Sequence, residues 1–215
     1  MTKLKLDITT SLDGFVAGPN QTLKDPLGEG GDLLHEWMYG LATWQEMHGR
    51  TGGERNADDD LVREGYAATG SVIMGRRMFS NGHGPWADDP NAQGWWGDDP
   101  PFGVPVFVLT HHERETLPMK GGTSFTFVTD GIESALEQAR AAAGDRDVLI
   151  AGGAEAAQQY LKAGLLDEIQ LHVAPVLLGE GIRLFEGLGP DDAKLETTKV
   201  IESPAVTHVQ YRVVK

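Results

Sequence analysis

The feature that most restricts the fold of this chain is a repeated order of elements in its middle. A short apolar segment runs into glycine and then into a helical pattern, once at 71–74 and again at 148–151. Both segments are apolar nearly throughout, so neither has a polar face to turn toward water. Strands of this kind occur in parallel sheets that helices cover on both faces. The pattern predicts a three-layer α/β fold with a mostly parallel central sheet.

Further strands are expected on both sides of this middle region. Alternating or continuous apolar residues predict strands at 1–10, 71–74, 104–110, 125–129, 148–151 and 168–174. The last two segments, 195–201 and 206–214, are separated by a short turn, which predicts an antiparallel hairpin closing one edge of the sheet. The chain contains no linker, internal repeat or low-complexity tract, so we predict a single domain, 1–215.

Helical spacing of apolar residues predicts the remaining elements. The expected helices are 33–48, 58–68, 132–143 and 154–161. Asp32 is a plausible N-cap of the first, and Asp58–Asp60 give the second a negatively charged start. The segment 82–103 is rich in proline and tryptophan and is predicted to be a long loop. We interpret Asp88-Asp89 and Asp98-Asp99 within it as solvated turn residues.

Composition restricts the partners and the chemistry. The chain has 32 Asp and Glu residues against 18 Lys and Arg, which gives a net charge of −14. Binding to nucleic acid or anionic lipid requires clustered cations, so we expect neither partner. Without cysteine, the chain has no disulfide, thiolate metal site or cysteine nucleophile. No apolar run approaches the roughly 20 residues of a membrane span, and no signal peptide pattern begins the chain. We expect a cytoplasmic protein that acts on a small molecule.

The first candidate binding motif is Gly75-Arg76-Arg77, directly after the apolar strand at 71–74. Glycine lets a phosphate approach the backbone, and the N–H groups at a helix start favour anions. Successive helical residues point about 100° apart, so one arginine can hold a phosphate while the other stacks or pairs nearby. Two solvated arginines on a surface helix are an equal alternative from these residues alone.

The second candidate motif is Gly152-Gly153-Ala154-Glu155, after the apolar strand at 148–151. A strand that runs into two glycines and then a helix has the general geometry of a pyrophosphate cradle at the carboxyl edge of a sheet. The dinucleotide fingerprint GxGxxG is absent here. A tight strand-to-helix turn explains the motif equally well when it stands alone.

Other motifs favour structural interpretations. Gly82–Ala87 fits GxGxxA in its letters, but it follows no strand and has Pro85 where a helix would begin. His111 and His112 are adjacent at a strand end and point to opposite sides, so we predict no metal site. Asp13, after the first strand, could face a cleft, although an ordinary Asp-Gly turn is favoured from spacing.

Four segments together resemble the reductase domain of bacterial riboflavin biosynthesis, within the dihydrofolate reductase superfamily. They are Ser11–Ala17 (SLDGFVA), Val72–Arg76 (VIMGR), Val108–Thr110 (VLT) and Leu149–Phe185, which contains AGGAEAAQQYL and LLDEIQLHVAPVLLGEG. The last segment is the most specific, and the resemblance covers roughly residues 3–213. The chain departs from the family at 19–60 and 82–103, and it lacks the zinc deaminase domain that usually precedes this reductase.

The resemblance implies a dihydrofolate-reductase-like fold, NADPH as hydride donor and a homodimer. It implies roles for eight residues at the cofactor. Gly75, Arg76 and Arg77 would bind phosphates, and Thr110 would lie beside the adenosine. The pyrophosphate would be lined by Gly152, Gly153, Ala154 and Glu155. Asp13 is expected to face the substrate or the nicotinamide. Glu36 resembles the acidic helix position of dihydrofolate reductases. Either carboxyl group is a candidate proton donor, directly or through water.

The expected function is hydride transfer from NADPH to a C=N or C=O bond of a small heterocycle, such as a pterin, a pyrimidine or a ribitylaminouracil. Two alternatives stay open, a dihydrofolate reductase proper and a non-catalytic nucleotide-binding protein of the same fold. The substrate itself is not predicted, because 19–60 and 82–103 lie where this family builds its substrate pocket.

Overall fold

The computed structural model describes residues 2–215 and has a nine-stranded sheet at its centre. In chain order the strands are β1 (Leu4–Ser11), β2 (Phe15–Ala17), β3 (Thr69–Gly75), β4 (Pro105–Leu109), β5 (Leu117–Pro118), β6 (Ser124–Val128), β7 (Asp147–Gly152), β8 (Glu168–Ala174), β9 (Ile182–Arg183), β10 (Lys194–Glu202) and β11 (Thr207–Val214). The large sheet has the order β10-β11-β8-β1-β7-β3-β4-β6-β5, and β2 pairs with β9 in a small antiparallel sheet. Met1, the first residue of the predicted N-terminal strand, lies outside the described residues.

The strand directions confirm the predicted α/β class. The pairs that connect β8, β1, β7, β3, β4 and β6 are all parallel. At one edge β11 and β10 form the predicted antiparallel hairpin, and at the other edge the short strand β5, which the sequence did not indicate, pairs antiparallel with β6. The carboxyl ends of six adjacent strands therefore lie along one edge of the sheet.

Six α-helices accompany the sheet in the described chain. They are α1 (Glu36–Tyr39), α2 (Ala42–Met47), α3 (Ala57–Ala68), α4 (Arg76–Ser80), α5 (Ile132–Ala143) and α6 (Ala154–Lys162). The buried faces of α5 and α6 pack with Leu4, Leu6 and Ile150 into the main hydrophobic core. Because both helices follow strands that end at the same edge, their first turns lie at that edge as well.

The helix predicted at 33–48 is broken, and this prediction was wrong. A 3₁₀ turn at Gly31–Leu34 precedes α1, and Gly30 rather than Asp32 occupies the N-cap position. The break between α1 and α2 arises because the backbone pairs elsewhere: Glu54 donates its N–H to the Gly40 carbonyl, and Ala42 donates to the Glu54 carbonyl. Apolar spacing at 3.6 residues persists across these turns, although the hydrogen bonds do not.

Asp88, Asp98 and Asp99 are exposed, as predicted, but other acidic residues are buried. Asp58 and Asp59 do begin α3, which Asn56 caps by accepting a hydrogen bond from the Asp59 N–H, but both are buried. Asp89 is buried as well, and it pairs with Arg76. The prediction of a solvated Asp89 was therefore wrong, because an arginine that is close only in the tertiary structure takes the place of water.

Candidate active site

A cavity of about 420 Å³ follows the carboxyl edge of five neighbouring parallel strands. Each strand contributes a residue near or just after its carboxyl end, namely Thr9 of β1, Gly152 of β7, Gly75 of β3, Thr110 after β4 and Thr129 after β6. Adjacent strands lie about 4.8 Å apart, so this edge extends about 19 Å from β1 to β6. Ligands of open α/β sheets bind in a crevice of this kind.

Two helices begin at the cavity wall. Gly131 and Ile132 at the start of α5 line it, and so do Gly153 and Ala154 at the start of α6. The first N–H groups of a helix have no partner within the helix, and together with the helix dipole they favour an anion. The middle of the cavity is therefore suited to negatively charged groups.

Gly152 and Gly153 are glycines for different reasons. Gly152 has φ +128°, a region that L side chains rarely adopt, so its own backbone requires glycine. Gly153 has φ −78°, and a Cβ placed there would meet no atom within 4 Å. A side chain at 153 would therefore extend into open space at the start of α6.

Arg76 lies in the cavity wall and is nine-tenths buried. Its Nε donates to Ser80 Oγ at 3.0 Å, its Nη2 pairs with Asp89, and its guanidinium carbon lies 3.2 Å from the centre of the Trp86 ring. Its Nη1 is buried without a hydrogen-bond partner among the described residues. Such a donor is costly to leave unsatisfied.

The other predicted cofactor residues also reach the cavity. Arg77 is exposed at its rim, Glu155 is exposed in the first turn of α6, and Thr110 is buried after β4. Gly75 faces Gly153, since a Cβ on Gly75 would lie 3.7 Å from the Gly153 nitrogen. The structure thus brings together all eight residues that the sequence predicted for a cofactor, although they come from three separate segments.

Neither predicted proton donor lines the cavity. Asp13 accepts hydrogen bonds from Ser11 Oγ at 2.5 Å and from the backbone N–H groups of Gly179 at 2.7 Å and Leu178 at 3.2 Å. The hydrogen bond from Ser11, more than those from the backbone, lowers the pKa of Asp13 to about 2. Glu36 is exposed on α1. Asp13 therefore holds a turn, the alternative that its Asp-Gly spacing favoured. The role of either carboxyl group as a proton donor stays a prediction.

Sequence reasoning missed the residues that line the β1 end of the cavity. Here His35 and Gln21 come from the segment 19–60, and Trp95 enters from the loop 82–103 farther along the wall. Burial lowers the pKa of His35. The signal that could have found these residues is their location in two segments that depart from the family pattern, but no spacing rule singles out one side chain within them.

A second group of ionisable side chains lies away from the cavity wall. Of this group, His172, His208 and Asp58 are buried, whereas Asp7 is partly exposed. His172 Nε2 bonds Asp7 Oδ1 at 2.6 Å, the two Nδ1 atoms of His172 and His208 are 2.5 Å apart, and His208 Nε2 bonds Asp58 Oδ1 at 3.0 Å. We call these four residues the buried histidine chain. Trp37 packs on both imidazoles, at 4.8 and 5.2 Å between ring centres.

None of the four residues of the buried histidine chain lines the cavity. Its contact with the cavity is indirect: the Trp37 indole N–H donates to Thr9 Oγ1 at 3.3 Å, and Thr9 lines the cavity.

Residues 2–215 contain neither a cluster of metal ligands nor a membrane-spanning helix. No group of three or more His, Asp or Glu side chains is arranged to hold a metal ion in this part of the chain. Among the helices described above, none has the length and apolar character needed to cross a membrane.

Comparison with known proteins identifies the family. The model of the RibD C-terminal domain matches residues 2–209. This chain belongs to the RibD C-terminal domain family. A riboflavin biosynthesis protein RibD from Corynebacterium ammoniagenes is 50% identical over 44 residues, a stretch that spans 20% of this chain and 13% of that protein.

Solved structures share the fold. A candidate riboflavin biosynthesis protein from Shewanella sp. PV-4 has a TM-score of 0.64 and 22% identity, with full coverage of both chains. A diaminohydroxyphosphoribosylaminopyrimidine deaminase/5-amino-6-(5-phosphoribosylamino)uracil reductase from Thermotoga maritima has a TM-score of 0.58 and 15% identity, and the match covers 99% of this chain but 57% of that one. Dihydrofolate reductase from Enterococcus faecalis, complexed with NADP(H), has a TM-score of 0.54 and 10% identity, with 99% and 97% coverage. The dihydrofolate-reductase-like fold is thereby confirmed.

Proposed function

We propose that this chain is an NADPH-dependent reductase that transfers hydride to a C=N or C=O bond of a small heterocyclic substrate. Membership of the RibD C-terminal domain family supports the reductase chemistry, and a cavity of about 420 Å³ at the strand ends is of the size that small-molecule sites have. One observation carries the proposal: Gly153 leaves an open surface at the start of α6, in the wall of the cavity.

The residues present fit this cofactor. Gly75, Gly153 and the first turn of α6 would hold the pyrophosphate, and Arg76 in the same wall would add positive charge beside it. Arg77 at the rim would bind the additional phosphate that distinguishes NADPH from NADH. Thr110, two strands from Gly152 in the sheet order, would lie beside the adenosine. All the residues in these assignments line the same cavity.

When bound, NADPH supplies the hydride, and the protein orients the reacting groups and handles the proton. The proton is needed at the nitrogen or oxygen of the reduced bond. His35 is the ionisable side chain at the β1 end of the described cavity wall, so it joins Asp13 and Glu36 as a candidate proton donor. Because burial lowers its pKa, His35 is a neutral imidazole at pH 7 that can pass a proton from solvent.

The test is NADPH binding by wild type and by Gly153→Val. A valine side chain would fill the space that the pyrophosphate needs, so we expect NADPH affinity to fall by at least about a hundredfold. The protein should still fold, because φ −78° suits valine and a Cβ meets no atom within 4 Å. Fluorescence titration gives the affinity, and circular dichroism with a melting curve reports the fold.

Gly40→Val is the matched control. A Cβ at Gly40 also meets no atom within 4 Å, its φ is −82°, and it does not line the cavity. This variant should bind NADPH as wild type does. If a folded Gly153→Val binds NADPH normally, the phosphates lie elsewhere and the proposal fails.

A further inference from the structure

The β1 end of the cavity differs chemically from the glycine-lined middle. It is formed where β2, β9 and the turn at Gly31–Leu34 pack near the end of β1. We propose that this end binds an uncharged ring, so that the substrate buries neither a phosphate nor a carboxylate there. The inference rests on the proposed function, because it concerns the substrate that would lie beside the cofactor.

The walls of the β1 end are largely apolar. Val16 and Ala17 of β2, Ile182 of β9 and Leu27 contribute aliphatic surface to the cavity. Leu27 is held in place because its carbonyl accepts a hydrogen bond from the Gly18 N–H at 2.8 Å. Such surface gains free energy by covering the faces of a planar ring, and it gives no compensation to a buried ionic group.

The polar groups at this end are neutral. Gln21 donates its amide hydrogen to the Pro26 carbonyl at 2.7 Å, which leaves the amide oxygen to accept from a ligand. Thr9 accepts from the Trp37 indole and can donate its own hydroxyl hydrogen. His35, which burial keeps neutral, can donate or accept. Together Gln21 offers an acceptor, Thr9 a donor and His35 an imidazole that can act as either. These groups match the amide and amidine edges of a neutral heterocycle.

The cations of the cavity wall lie elsewhere. Arg76 and Arg77 follow β3, which is two strands from β1 in the sheet, or about 10 Å. The proposed cofactor phosphates already require them. A phosphate carried by the substrate would therefore enter an apolar pocket that offers no cation to pair with it. An ion in that position is strongly disfavoured. The Thermotoga protein, by its name, reduces a phosphoribosyl compound, and we expect this chain to differ from it.

The test compares two pairs of probes that differ in charge. One pair is 5-amino-6-ribitylaminouracil and its 5′-phosphate, and the other is 7,8-dihydrobiopterin and dihydrofolate, which carries carboxylates. Each is titrated calorimetrically into wild-type protein saturated with NADP⁺. We expect the uncharged member of at least one pair to bind, and to bind at least about tenfold more tightly than its charged partner.

A charge variant makes the test specific to the β1 end. Gln21→Arg places a cation in this wall, so it should reverse the preference within the uracil pair while NADP⁺ affinity stays the same. Gln138→Arg, an exposed position on α5, adds the same charge away from the cavity and should reverse nothing.

Three results would overturn the inference: equal or tighter binding of the charged members by wild type, no binding of any probe at about 1 mM, or an unchanged preference in Gln21→Arg. A wild-type protein that does not bind NADP⁺ is a different result, because it would refute the proposed function itself.

Discussion

The buried histidine chain gives a prediction whose size can be worked out from the structure. His208→Phe preserves an aromatic ring beneath Trp37 but removes both nitrogens of His208. Asp58, whose side chain is 8% exposed, then loses its hydrogen-bond donor, and His172 Nδ1 loses its partner. Each buried group left unsatisfied costs about 1–3 kcal/mol, and an unpaired buried charge costs more. We expect the free energy of unfolding to fall by about 3–5 kcal/mol.

A double variant separates unsatisfied groups from lost packing. His208→Phe with Asp58→Leu removes the stranded carboxylate, so it should be more stable than His208→Phe alone by about 1–2 kcal/mol. Urea unfolding followed by tryptophan fluorescence measures all three proteins. A single variant within about 0.5 kcal/mol of wild type, or a double variant less stable than the single one, would refute the hydrogen-bond argument.

The same chain makes stability depend on pH. Burial, and after it the neighbouring His172, lowers the pKa of His208 below its ordinary value of 6.5. The unfolded chain therefore binds a proton at His208 that the folded chain refuses, and this contribution to stability is fully present above pH 6.5. As pH falls below 6.5, the free energy of unfolding should decrease by up to about 1.4 kcal/mol per pH unit until the folded pKa is passed. Urea midpoints between pH 5 and pH 8 should show this decrease in wild type and a smaller one in His208→Phe.

Two further predictions concern the cofactor and the assembly. NADPH should bind more tightly than NADH by about 1–3 kcal/mol, and Arg77→Ala, which alters an exposed side chain, should reduce that preference without lowering the melting temperature; equal affinities in wild type would contradict this. We also expect a homodimer, because β10 is a nine-residue edge strand on which Leu195 and Val200 are 41% and 60% exposed. Sedimentation at micromolar concentration should show the dimer in wild type and a single chain in Leu195→Lys/Val200→Lys; a wild-type monomer would exclude it.

The local sequence pattern correctly predicted those elements in which the apolar periodicity matches the backbone hydrogen bonding. The helix α5 was predicted at the residues where it lies, and so was the strand β8, because each has a regular apolar face and clear end signals. The segment 33–48 shows the limit of this reasoning. Its apolar spacing is helical, but Glu54 takes the backbone hydrogen bonds at Gly40 and Ala42, a pairing that no local pattern indicates.

The sequence by itself determined the two glycine motifs and their positions at strand ends. Because parallel strands share a carboxyl edge, this was sufficient to bring Gly75, Arg76 and Gly153 to one cavity wall. The tertiary structure alone decided which side chains pair across elements. Arg76 meets Asp89, and Asp13 turns to the backbone at Gly179 instead of the cavity. These pairings join residues 13 and 166 positions apart in the chain, whereas periodicity and turn chemistry describe only close neighbours in sequence.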